Sequence, residues 1–195
     1  MILKKKPYIL IIGSGILGAY LSKKLINKNY NILVTSRKLK KKYQNYNKLK
    51  IYNKVKFLKL NILNEKEIEK ILIKYYPKNI YYFAGQSSIV KSNKLKKDTY
   101  ESNYLGAKKF LKIIYKKKLK INFFKANTGY IFKNKNKKIS LNCNLKKPNN
   151  PYVLSQIKAY NLVKYYRKIG IRCYSIIFFN IESFLRPKEY FIKKI

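Results

Sequence analysis

The segment Gly13-Ser14-Gly15-Ile16-Leu17-Gly18 constrains this chain more than any other. It lies directly behind an apolar run at 8–12 and directly ahead of a stretch of helical spacing at 19–25. Glycines at this spacing let a strand turn sharply into a helix, bring backbone close to a pyrophosphate, and pack the helix tightly on the sheet. The helix that follows turns unpaired N–H groups and the positive end of its dipole toward an anion. A dinucleotide-binding loop is therefore expected here, against the alternative of a simple glycine turn. The rest of the chain tests which holds.

Short runs rich in Ile, Val, Tyr and Phe, at 8–12, 31–35, 55–60, 80–83, 121–126 and 172–178, read as strands. Between several of them lie stretches of helical spacing at 19–27, 65–76, 100–117 and 153–168. Strands alternating with helices at this interval form βαβ units with right-handed crossovers. The expected fold is α/β, a doubly wound parallel sheet of the Rossmann type, with residues 1–195 as one NAD(P)-binding domain. Pro77-Lys78-Asn79 and Gly170 punctuate helix ends, and 133–151 is a polar connection without periodicity. The Lys- and Asn-rich segment 38–54 reads as a solvated loop or surface helix.

Composition narrows the function classes. At 195 residues and 47% hydrophobic, the chain can bury a core and is not a disordered polycation. Its formal net charge of +40 raises nucleic acid or an anionic membrane as partner. The lysines, however, are spread along the whole chain in company with Asn, Ile and Tyr, all of which A/T-rich codons specify. No RRM, KH or zinc-finger pattern accompanies them. Salt-sensitive, non-specific polyanion binding is the expectation, with no specific nucleic-acid partner.

The chain has no histidine, and Cys143 and Cys173 stand apart, so no metal site and no His-based triad is expected. Lys4 to Lys6 and the apolar residues after them mimic a signal peptide, but the glycines there sit at nucleotide-loop spacing. No later run approaches the ~18 apolar residues that span a bilayer. The expected setting is cytoplasmic, without a membrane partner.

On the cofactor side, an NAD-preferring fold carries an acid about 20 residues past the glycines to bond the ribose 2′-OH. Here the second strand runs into Val34-Thr35-Ser36-Arg37-Lys38, with no acid. Arg37 is suited instead to a 2′-phosphate, so NADP is expected in preference to NAD. Asn61-Ile62 and Ala84-Gly85-Gln86-Ser87 follow the third and fourth strands, at the strand ends where open α/β sheets bind ligands.

Taken in order, these residues resemble the extended short-chain dehydrogenase/reductases of the NAD-dependent epimerase/dehydratase family, and within it the GDP-mannose 4,6-dehydratases. The resemblance rests on Gly15 and Gly18, Asn61-Ile62, Ala84 to Ser87, Asn103-Tyr104-Leu105-Gly106 and Ala126-Asn127-Thr128. It continues through Pro148-Asn149-Asn150-Pro151-Tyr152, then Phe179-Asn180-Ile181-Glu182-Ser183 and on through Arg186-Pro187 to Lys193-Lys194-Ile195. It implies that a nucleotide sugar, GDP-mannose, is the substrate, with Ser87 and Asn180 among its contacts. A tyrosine takes a proton from the sugar 4-hydroxyl as hydride passes to NADP, a lysine four residues later holds the nicotinamide ribose, and a glutamate then drives loss of water. Tyr152 matches the tyrosine and Thr128 the hydroxyl that bonds the 4-oxygen.

The match breaks at two chemical positions. Four residues past Tyr152 stands Gln156, which can bond a ribose but carries no charge to stabilise a phenolate. Lys158 lies about 200° round the helix from that face. Where the dehydratases carry glutamate stands Tyr130. Thr128-Gly129-Tyr130-Ile131-Phe132 is more similar to the family's nucleotide-sugar reductases. The resemblance also implies a smaller C-terminal substrate domain that is largely missing here. Three alternatives follow: an NADP-binding remnant or subunit, a 4-keto reductase or epimerase, and, in another class, a basic polyanion binder. A homo-oligomer or a completing partner chain is a further expectation.

Overall fold

The structure, a computed structural model, describes residues 6–39, 43–133, 139–140 and 142–186. Six parallel strands form a single sheet: β1 (Tyr8–Ile12), β2 (Asn31–Ser36), β3 (Lys56–Lys59), β4 (Asn79–Tyr82), β5 (Asn122–Thr128) and β6 (Cys173–Phe178). Their order across the sheet is β3-β2-β1-β4-β5-β6. The chain winds outward from β1 in one direction, returns to β4 beside β1, and winds outward in the other. The fold is thus the doubly wound α/β sheet, and its topological switch point lies between β1 and β4, where such sheets bind ligands.

Burial on both faces explains the near-continuous apolar strands. In β1, Leu10 and Ile12 pack into one core while Ile9 and Ile11 pack into the other, and all four are shielded from solvent. The first core is closed by α3 (Glu65–Tyr75), α6 (Gly106–Lys116) and α7 (Pro151–Lys168), the second by α1 (Ile16–Ile26) and α2 (Gln44–Lys48). Each Leu or Ile so buried contributes roughly 1.5–3 kcal/mol from transfer out of water.

Local signals set the helix starts that shape the site. Asn64 caps α3 by accepting from the N–H groups of Lys66 and Glu67, and Glu67 reaches back to the N–H of Asn61 at 2.9 Å. This holds the β3–α3 turn against the strand ends. Asn150 caps α7 through Val153 N–H at 2.9 Å, with Pro151 in the first turn.

Two segments differ from the sequence expectation. The segment 38–54, read as a solvated loop or surface helix, does carry the short helix α2, but it is anchored in the core: Tyr43, Tyr46, Leu49 and Ile51 are buried, and Tyr43 stacks on Phe57 with ring centroids 3.9 Å apart. The lysines and asparagines obscured an apolar set at spacing 43, 46, 49, which is one helical face. Residues 40–42 and most of 134–141 lie outside the described residues, as does the stretch 187–195 that carried the end of the resemblance. The helix expected over 100–117 is resolved into α5 (Lys96–Tyr100), a π-helical turn at Glu101–Leu105 and α6, preceded by an unexpected short α4 (Ile89–Lys94).

Candidate functional site

Gly13 closes β1 at φ +108°, a conformation that side chains rarely adopt, and a Cβ there would lie 2.9 Å from the Ala84 nitrogen. The first and fourth strands therefore meet backbone to backbone at the switch point. Gly18 is the second steric requirement, since a Cβ there would lie 2.5 Å from the Gly13 carbonyl oxygen. Between them Gly15 faces open space, with nothing within 4 Å of a Cβ position. The α1 hydrogen bonds begin at Ala19 N–H to Gly15 C=O, so the N–H groups of the preceding turn have no helical partner, and no acid occupies the first turn. Such a cradle fits an anion.

Two clefts open at the C-terminal strand edge and share Ala84, Gly85 and Gln86. The first, about 320 Å³, is lined by Gly13, Ser14, Arg37, Asn61 and Ile62. Ser14, Gly15 and Ile16 form the loop crest, and Leu17 lines the second cleft. Arg37 is exposed and has no carboxylate partner among the described residues. The Asn61 carboxamide oxygen is occupied by the Leu63 N–H at 3.0 Å, which leaves its amide end for a ligand. Asp98 and Glu101 also line this cleft, two of the chain's seven acids.

The second cleft, about 360 Å³, gathers Ser87, Thr128, Tyr130, Tyr152, Gln156 and Asn180. Thr128 ends β5 and Tyr152 sits in the first turn of α7, so the capped start of α7 sets one beside the other. Burial is the main influence on the Tyr152 phenol and raises its pKa above 10; hydrogen bonds with Thr128 and Gln156 pull against this, and Tyr130 adds a small further rise. The group is a neutral phenol at pH 7. Gln156, one helical turn on, is buried, and its Oε1 has no hydrogen-bond partner among the described residues. A buried, unpaired amide oxygen on the cleft wall fits a ligand hydroxyl. Lys158 points elsewhere: it is exposed, and its Nζ donates to the Tyr100 hydroxyl at 3.1 Å.

The strip between the clefts is held from below. The Asn103 amide donates to Gln86 C=O and to Ser155 Oγ, both at 3.1 Å, and Tyr82 donates to Ser102 C=O at 2.8 Å. The π-helical turn presents Ser102 and Asn103 together. The Gln86 carboxamide folds onto the backbone of Ser88, and its own backbone is tied to the π-helical turn, the N–H donating to Ser102 Oγ and the C=O accepting from Asn103, so Gln86 holds the strip in place.

Sequence reasoning missed Lys125, which lines the second cleft and is buried on β5. Period-two alternation was the available signal, because it places Lys125 on the same face as Ile121 and Phe123. Asn103 was read as part of a motif but not as the tie between strip and helix. Among the described residues no group of His, Cys, Asp or Glu could hold a metal ion, and no helix is long and apolar enough to cross a membrane.

A family model described as GDP-mannose 4,6 dehydratase matches residues 10–195. No curated protein sequence matches the chain. Among solved structures, a dTDP-glucose 4,6-dehydratase from Streptomyces venezuelae, solved with NAD bound, aligns with a TM-score of 0.81 at 17% identity over 96% of this chain and 60% of that one. An L-threonine dehydrogenase from Clostridium difficile aligns with a TM-score of 0.80 at 24% identity, over 93% and 56%. A UDP-glucose 4-epimerase from Brucella ovis in complex with NAD aligns with a TM-score of 0.77 at 19% identity, over 89% and 52%. The chain thus spans a little over half the length of these solved structures.

Proposed function

Because the chain belongs to the GDP-mannose 4,6-dehydratase family, we propose that residues 1–195 act as one domain that holds a nicotinamide dinucleotide across the joined clefts and presents a nucleotide sugar to it. NADP is the dinucleotide in preference to NAD, and GDP-mannose the substrate. The observation that carries this is the continuity of the two clefts: the glycine loop and Arg37 line one half, Thr128, Tyr152 and Gln156 the other, and Ala84 to Gln86 belong to both. A bound nicotinamide would supply a hydride acceptor that later returns the hydride.

The roles of the chain's own residues follow from their chemistry. The free N–H groups of α1 hold the pyrophosphate, and Arg37 pairs with a 2′-phosphate. The Gln156 Oε1 accepts from a ribose hydroxyl. Thr128 and Tyr152 hydroxyls close on the sugar 4-oxygen, while Ser87 and Asn180 contact the sugar from the cleft rim. Tyr152 is the only one of these groups that can take the sugar proton, and its burial works against that step.

That last point favours a second reading. With Gln156 in place of a cation and Tyr130 in place of a carboxylate, the chain binds the dinucleotide without turning over the sugar. Reduction or epimerisation at C4, which needs no carboxylate base, is the lesser variant of catalysis.

Calorimetry with NADP⁺ and NAD⁺, followed by mass spectrometry of GDP-mannose incubated with the loaded protein, separates these. Dinucleotide binding with loss of one water from the sugar nucleotide is the result expected of an active dehydratase. Binding with unchanged sugar supports the second reading. Failure to bind either dinucleotide overturns both.

A further inference from the structure

Lys125 is the only charged side chain among the buried residues that are described, at 1% exposure, in a chain with 47 lysines and arginines. Its Nζ donates to the Ala126 carbonyl at 2.5 Å and lies 5.4 Å from the centre of the Tyr82 ring. No carboxylate pairs with it among the described residues. Burial alone draws its pKa down from 10.5 to about 7.

The Tyr82 ring and the Ala126 carbonyl attract the ammonium, but no opposite charge faces it among the described residues. Tyr82 faces it from β4 and is held neutral by burial, as is Tyr152 on α7. Ser175 stands opposite it on β6. Elsewhere on the cleft wall are Tyr130 and, beyond β6, Glu182 and Arg186, which lie 3.7 Å apart and answer each other. Lys125 therefore adds a buried positive charge to the wall of the cleft that holds Thr128, Tyr152 and Gln156.

The oxidised nicotinamide ring carries a positive charge and the reduced ring carries none, while the rest of the two dinucleotides is identical. We propose that Lys125 makes this cleft discriminate between the two oxidation states, holding the reduced ring more tightly than the oxidised ring whenever its amine is protonated. This rests on the dinucleotide reading given above. Below pH 7 the ammonium repels the oxidised ring across a poorly solvated cleft; above it, the neutral amine does not. The preference for the reduced form rises as pH falls. At a separation set by a cleft of this size, the repulsion changes the affinity ratio by about tenfold. The absence of histidine leaves no other side chain with an ordinary pKa near 7. A 2′-phosphate titrates in both forms and cancels in the ratio.

The test is calorimetric titration of the full chain with NADPH and NADP⁺, and with NADH and NAD⁺, from pH 6 to 8.5. The wild-type ratio of dissociation constants, oxidised over reduced, is expected to be about tenfold larger at pH 6 than at pH 8.5. Lys125→Met removes the charge, and Lys125→Gln removes it while keeping a donor for Ala126; both should give a flat ratio, with circular dichroism reporting the fold. A flat wild-type ratio, or an unchanged slope in both variants, overturns the inference and leaves the dinucleotide reading intact. Binding of neither oxidation state overturns the dinucleotide reading itself and takes the inference with it.

Discussion

The two halves of the trough are built from different materials. Around Gly13 to Gly18 the geometry is made by backbone: a left-handed glycine, a helix N-terminus and two strand ends that leave no room for a Cβ. Around Tyr152 it is made by side chains, with Gln156 and Tyr130 standing where the resemblance implies a lysine and a glutamate. Backbone geometry is tied to the packing of the whole sheet, so a change in the loop is felt by the fold. An exposed side chain on a cleft wall can be exchanged with little effect on folding. On the proposed reading, binding and chemistry are thus separable, with binding the more deeply anchored.

The hardest test of that separation is Gly18→Val. Its Cβ would meet the Gly13 carbonyl oxygen, an obstacle made of backbone that cannot rotate away. Dinucleotide affinity should fall by more than about 100-fold and stability by roughly 3 kcal/mol, as for other overpacked sites. Calorimetry and thermal unfolding read the two effects. Undiminished binding in a folded variant would break the contrast between the halves, because the loop would then not hold the ligand.

Lys125 sharpens the contrast from the other side, as a residue in the reaction half that works against the fold. Its pKa is about 7 when folded against an ordinary 10.5. Below pH 7 both folded and unfolded chains carry the proton, and the full desolvation penalty is present. Between about 7 and 10.5 the unfolded chain binds more protons than the folded one, so stability rises with pH. Lys125→Met should therefore raise stability on the order of 3 kcal/mol at pH 7, or roughly 6–12 °C in Tm. The gap from wild type should narrow steadily toward pH 9. A destabilised variant, or a gap independent of pH, would show that Lys125 is held charged by a partner.

The two halves were also unequally legible in the sequence. The glycine loop could be read because its spacing states a steric requirement, and all six strands could be placed because a parallel sheet buried on both faces needs apolar runs. The strip from Ala84 to Ser87 followed from its position at a strand end, whereas Thr128 and Tyr152 were singled out by the family resemblance. What escaped was long-range or masked. Asn103 ties Gln86 to Ser155, itself 52 residues further along the chain than Asn103, and nothing local announces that bond. Tyr43 and Tyr46 were hidden among lysines and asparagines that colour the whole chain. Lys125 escaped for the same reason: where lysine is everywhere, a buried one looks ordinary.

Gln156→Lys asks whether the reaction half lacks only charge. An ammonium one helical turn from Tyr152 would lower the phenol pKa toward neutrality. Reduction of bound NADP⁺ by GDP-mannose, followed at 340 nm in a single turnover, should rise by roughly 100-fold, the usual worth of a working general base. Loss of water from the sugar should remain absent until Tyr130→Glu is added, because Tyr130 offers no carboxylate. Dehydration by the single variant would mean that Glu182, the only carboxylate among the described residues of that cleft wall, already serves as the base.

Arg37→Ala gives the smallest expected effect and bears on the binding half alone. Arg37 follows β2, lines the first cleft, and lacks a carboxylate partner among the described residues. Being exposed, it works in water, where a charge-assisted bond to a phosphate is weaker than in a buried pair. NADP⁺ affinity should fall by about tenfold while NAD⁺ affinity stays within twofold, and the NADP⁺ loss should shrink as salt is raised toward 0.5 M. Equal losses for both dinucleotides would mean that Arg37 stacks on the adenine that both share. No loss for either would transfer the choice of cofactor to Asp98 and Glu101, whose carboxylates on the same cleft repel a 2′-phosphate and would favour NAD.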